Sequence, residues 1–191
     1  VRLDAAYGCS LGGACLTRLL ALDEIPVGQA IIDGGITPYQ MPYLLRRLHL
    51  AVDVLSFKLA ANNRKVLEAA FPPERFTLPG HDSVKEYDAI AAYLKTYSDR
   101  TIRNIFWSGN NYALPETPAA CSTKIAYWYG ADEKKDRKYN IRFIRRYFPQ
   151  IQLCEFPNMA HAELVMIHPE EFYRRIMEFL THAPKDQSEK S

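Results

Sequence analysis

Long apolar runs, paired cysteines and a dominant charge sign are all missing from this 191-residue sequence, and each absence removes a class of protein. No segment approaches the roughly 20 apolar residues that span a bilayer, and no charged start followed by an apolar stretch marks a signal peptide. The expectation is a soluble, cytoplasmic chain with no membrane partner. The four cysteines, Cys9, Cys15, Cys121 and Cys154, have neither the paired spacing of a zinc site nor the density of a secreted disulfide scaffold, so a reducing compartment and no metal are expected. The 24 basic and 22 acidic residues are interspersed and leave a net charge of +2, which offers no single-sign field to nucleic acid or an anionic membrane. There is no internal repeat and no low-complexity tract. What is present is a chain of single-domain size, 48% hydrophobic, able to bury a sizeable core, with a small molecule as its expected partner.

The pattern of apolar residues divides the chain. Residues 3–7 read as extended, residues 11–22 carry Leu16, Leu19 and Leu20 at helical spacing, and Ala30, Ile31 and Ile32 form a short apolar run that ends at Asp33-Gly34-Gly35. This is one βαβ unit, and the apolar run fits a parallel strand covered on both faces. From about Thr37 to Thr123 the texture is helical, the expected helices including 41–62, 63–70 and 83–97, punctuated by Pro72-Pro73 and Pro79-Gly80. Strands resume over 124–130 and 151–156, separated by a helix from about 135 to 147 and followed by a last helix over 169–180. The alternation predicts an α/β fold: a mostly parallel sheet of about four strands flanked by helices, with an inserted helical block. The expected organisation is a core βαβ over 1–36, a helical cap or lid over 37–123, the core continued over 124–182, and a flexible tail over 183–191. Placed over the C-terminal ends of the strands, where open α/β sheets bind ligands, the insertion is a candidate lid.

Chemistry concentrates at three turns. Gly8-Cys9-Ser10-Leu11-Gly12 matches G-x-S-x-G between a strand and a helix, the context that a nucleophile elbow needs. The turn is sharp enough to strain the serine backbone, and side chains at both flanking glycines are expected to collide with neighbouring elements. The N–H of Leu11, at the helix N-terminus, would supply half of an oxyanion hole. A serine hydroxyl needs a base, and of the five histidines only His161 lies on a loop between the last strand and the last helix. His49 and His81 fall in the helical block, His168 caps the final helix and His182 is in the tail. A carboxylate to orient the imidazole is offered by Asp132 or Glu133, just past the strand that ends at Gly130. Cys9 should point inward and pack.

The Gly-Cys-Ser-Leu-Gly-Gly elbow, the Tyr-Gly-Ala-Asp-Glu turn and the Ala-His-Ala-Glu segment before Pro-Glu-Glu-Phe resemble the α/β-hydrolase superfamily, in its serine hydrolases with a helical cap. The resemblance implies the order Ser10, acid, His161, and the family's usual spacing from the glycine falls on Glu133 rather than Asp132, with Asp33 a third option. It implies hydrolysis of an ester, thioester or related acyl bond of a small molecule without a cofactor; acyl transfer and a non-catalytic binding protein of the same fold are the alternatives. It also implies that residues 3–7 are the fifth of eight strands. The chain would then be the C-terminal part of a hydrolase of about 250 to 270 residues, without the loop that gives the second oxyanion N–H. Its first strand would expose an apolar edge prone to self-association. The aromatic residues of the helical block, Tyr39, Tyr43, Phe57, Phe106, Trp107 and Tyr112, fit a local core as readily as an acyl or aryl pocket. Arg142, Arg145 and Arg146 read as a solvated helix face.

Overall fold

In the computed structural model, residues 1–38, 42–110, 112–118 and 122–181 are described. Tyr39, Cys121, His182 and the tail from 183 lie outside them.

Four strands, β1 (Leu3–Cys9), β2 (Val27–Asp33), β3 (Lys124–Gly130) and β4 (Gln152–Phe156), pair in the order β1-β2-β3-β4, all parallel. Helix α1 (Leu11–Leu22) crosses from β1 to β2. The two central strands carry unbroken apolar runs, Ala30–Ile32 and Ile125–Tyr129, because both faces are covered there. On one face Ile32 and Tyr127 pack with Leu16, Leu20, Ile144 and Phe148; on the other, Ile31 and Trp128 pack with Phe156, Leu164 and Phe179. Each such side chain contributes about 1.5–3 kcal/mol of burial, and together they fix the register that brings the strand ends level. β1 is exposed along its first half, with β2 on one side and no strand on the other among the described residues.

The chain forms two compact units, residues 1–35 with 114–191, and residues 36–113. In the second unit, helices α2 (Tyr43–Asn62), α3 (Arg64–Ala70), α4 (Pro73–Phe76), α5 (Ser83–Lys95) and α6 (Asp99–Asn110) follow one another. Asn63 caps α3, its side chain accepting from Lys65 and Val66 N–H, so the break after α2 is encoded in one residue. The helix expected to run to residue 97 stops at Lys95, and α6, to which the sequence reading gave no bounds within the helical block, begins at Asp99 after three intervening residues. Ser98 is the cause: its Oγ accepts the Thr101 N–H, which starts a new helix. Phe57 meets Tyr97 and Phe106 edge to face, so these aromatics pack on each other.

In the first unit a 3-10 turn at Ala131–Glu133 precedes α7 (Lys138–Tyr147), which starts later than the expected residue 135 because the Glu133 carboxylate folds back onto Gly130 N–H. Helices α8 (Glu163–Ile167) and α9 (Pro169–Thr181) follow β4. No helix among the described residues is long and apolar enough to cross a membrane.

Candidate active site

Ser10 is the single residue between β1 and α1. Reversing the chain in so short a space puts it at φ 53° and ψ −113°, a conformation that costs a non-glycine residue about 1–3 kcal/mol. The turn is held by Ser10 N–H donating to Asp33 O at 2.8 Å, which ties it to the end of β2. The first hydrogen bond of α1 runs from Ala14 N–H to Ser10 O at 3.2 Å, so the N–H of Leu11 has no acceptor within the helix and sits at its positive end. A Cβ on Gly8 would come within 2.4 Å of Gly12 O, as the elbow reading expects. Gly12 is different: a Cβ there meets nothing within 4 Å. The second close approach belongs to Gly13, where a Cβ would lie 2.6 Å from Gly35 Cα, because α1 crosses the end of β2 one residue later than the motif implies.

The acid and base turns come together at the same end of the sheet. Glu133 is turned inward and only 7% exposed, whereas Asp132 faces outward and its N–H donates to Met159 O at 3.1 Å, tying the two loops together. His161, in the loop between β4 and α8, has Nδ1 at 2.9 Å from Glu133 Oε2. Its ring lies against Gly34, where a Cβ would fall 2.6 Å from Nδ1 and Cε1. Gly34 follows Asp33, the residue whose carbonyl anchors Ser10, so the elbow and the imidazole flank two consecutive residues. Asp33 itself accepts from Tyr7 Oη at 2.6 Å, and burial holds its carboxyl above the usual range. His49 and His81 meet Asp53 and Glu86 in the helical unit, and His168 lies 3.7 Å from Glu163. Among the described residues no group of three or more His, Cys, Asp or Glu is placed to hold a metal ion.

Solved structures share this arrangement of strands and helices. An α/β-hydrolase family protein from Desulfitobacterium hafniense superposes with a TM-score of 0.69 at 19% identity, over 94% of this chain and 70% of that one. The fold is that of the α/β-hydrolases. An esterase from a marine microorganism has a TM-score of 0.53 at 16% identity over 93% of this chain and 70% of its own. MenH from S. aureus has a TM-score of 0.60 at 16% identity over 93% and 68%. No family sequence model matches the chain. No curated protein matches it in sequence.

Within this α/β-hydrolase frame one residue escaped the sequence reading. Arg137 Nε donates to Glu133 Oε2 at 2.6 Å, and its terminal nitrogen lies 3.1 Å from His161 Nδ1. The signal was available as a basic residue four positions after the acid, but it was indistinguishable from the other cations of the same run. Burial pushes the Glu133 carboxyl up, and the His161 hydrogen bond with the Arg137 charge outweighs it, so the group is held below the usual range and is ionised at neutral pH. Arginine only donates and the carboxylate only accepts, so Nδ1 serves one of them at a time. With the proton on Nδ1 the imidazole bonds Glu133 and Nε2 carries the lone pair a base needs.

Cys9 is half-buried, and burial together with the Asp33 charge pushes its thiol up to about 12. Cys15 is exposed. A thiol reagent at about pH 8 is expected to modify Cys15 and spare Cys9 in the folded protein, because the thiolate is the reactive form; peptide mapping in which Cys9 reacts as fast as Cys15 would overturn this assignment.

Proposed function

We propose that the protein is a serine hydrolase that cleaves an ester, thioester or related acyl bond of a small molecule. The observation that supports this reading is a strained Ser10 at a strand-to-helix elbow tied to Asp33, with His161, bonded to a buried carboxylate, against the next residue, Gly34. In the proposed reaction Ser10 Oγ attacks the acyl carbon while His161 Nε2 takes its proton. Negative charge moves to the acyl oxygen, where the Leu11 N–H and the N-terminus of α1 favour it. His161 then returns the proton to the leaving alcohol or thiol, and water, deprotonated by the same imidazole, releases the acyl group. Glu133 holds the Nδ1 proton toward itself and offsets the imidazolium charge as it forms. The fold hosts many functions, and the esterase among the solved structures of this fold supports an acyl-bond substrate without naming one.

A fluorophosphonate probe tests the assignment, since it phosphonylates an activated serine and needs no known substrate. Mass spectrometry is expected to find the adduct on Ser10 and to find none after Ser10→Ala or His161→Ala. Absence of an adduct in the parent protein, or an adduct that survives His161→Ala at the same rate, would remove the hydrolase reading.

A further inference from the structure

A concave site lies outside the residues assigned above. A cavity of about 570 Å³ opens where α7 flanks the edge strand β4, and none of Ser10, Glu133, Arg137 or His161 lines it. Its walls carry Lys134, Lys138, Arg142, Arg145 and Arg146. Residues 138, 142 and 145 recur at helical spacing on one face of α7, so the cations converge instead of circling the helix. The nearby carboxylate of Glu155 is already engaged by Lys134 Nζ at 2.6 Å and by Tyr129 Oη at 3.0 Å. Lys138, Arg142, Arg145 and Arg146 form no ion pair with a described residue. Half-buried Ile141 and Leu153 give the floor an apolar character.

We propose that this groove binds a small organic phosphate, with its phosphoryl or pyrophosphoryl group between the α7 arginines and an apolar or aromatic body on the Ile141 and Leu153 floor. Guanidinium forks match phosphate oxygens in pairs, which a row of solvated lysines would not do. The volume falls within the roughly 300–1,000 Å³ of small-molecule sites, whereas a nucleic acid or a membrane requires an extended basic surface, and the chain as a whole carries only a net +2. The site is independent of the chemistry assigned to Ser10.

The test is isothermal titration of the whole chain with adenosine triphosphate, inorganic pyrophosphate and adenosine, at low and at high salt. The triphosphate is expected to saturate one site per chain and to bind more tightly than pyrophosphate, which lacks the body; adenosine, lacking the charge, is expected to show no binding. Joint Arg142→Glu and Arg145→Glu exchange is expected to weaken the triphosphate by at least about tenfold, while Arg18→Glu, an exposed cation on α1, should change it by less than about twofold. Both arginines are exposed, so their exchange is expected to leave the fold intact, with circular dichroism as the check. Lack of saturation by the triphosphate, equal binding by the double variant, or binding only of RNA or anionic vesicles through the same arginines would each overturn the proposal.

Discussion

Exchanging Glu133 for glutamine is expected to lower kcat/KM for hydrolysis of an activated ester by about ten-thousand-fold. Glutamine keeps the size of the side chain but can present its N–H₂ to His161 Nδ1, which favours the tautomer with the proton on Nε2, where a base cannot use it. It also leaves the Arg137 guanidinium, 15% exposed, without its 2.6 Å partner. The loss should therefore reach stability as well as rate. The sign with pH follows from the carboxyl being held low in the folded protein: its contribution is present above the unfolded value, about 4.3, and disappears as the pH falls through the lower folded one. Urea unfolding at pH 7 should find the parent more stable than Glu133→Gln, with the gap closing below about pH 4. A gap that stays constant through this range would show that the Glu133 charge is not what the site holds. An unchanged kcat/KM would move the orienting role to another acid, and Asp33 would be examined next.

The second large effect is structural. Replacing Gly130 with alanine would place a Cβ 2.1 Å from Met159 O and 2.8 Å from Ala160 O, both backbone atoms of the His161 loop. Backbone cannot rotate away as a side-chain tip can, so the loop must move or the strand end must separate from it. A destabilisation of about 3 kcal/mol is expected from such overpacking, read as a fall in the urea midpoint, together with loss of probe labelling at Ser10 as His161 is displaced. Gly12→Ala is the matched comparison, because the space around it is open; in the first turn of a helix it should gain up to about 1 kcal/mol. Equal stabilities for the two variants would refute the close approach at Gly130.

The difference between these two glycines shows where reading the sequence reaches its limit. G-x-S-x-G, a strand before it and a helix after it were all legible, because local hydrophobic periodicity and turn chemistry are properties of neighbouring residues. The parallel α/β sheet was legible for the same reason: runs such as Ala30-Ile31-Ile32 and Ile125–Tyr129 are apolar without alternation, which only a strand covered on both faces tolerates. The bounds of helix α6 were not legible because its start depends on one serine hydroxyl, and such a signal is lost among other polar residues. The late start of α7 was missed because Glu133 turns back to Gly130, a choice that the partners of that carboxylate govern.

What the chain by itself determined is the order of strands and helices and the candidate residues at each strand end, since both follow from contacts within about one turn or one strand of sequence. Only the tertiary structure decided which candidates meet. Asp132 and Glu133 are adjacent in sequence and equal in chemistry, yet the 3-10 turn after β3 sends Glu133 to His161, 28 positions away, and leaves Asp132 outside. Arg137 joins them, Gly34 makes room for the imidazole, and Gly13 rather than Gly12 carries the close helix crossing. These are distances between segments far apart in the chain. They are set by the register of β1 to β4 and by the packing of α1 and α7 on it, and no property of neighbouring residues encodes them.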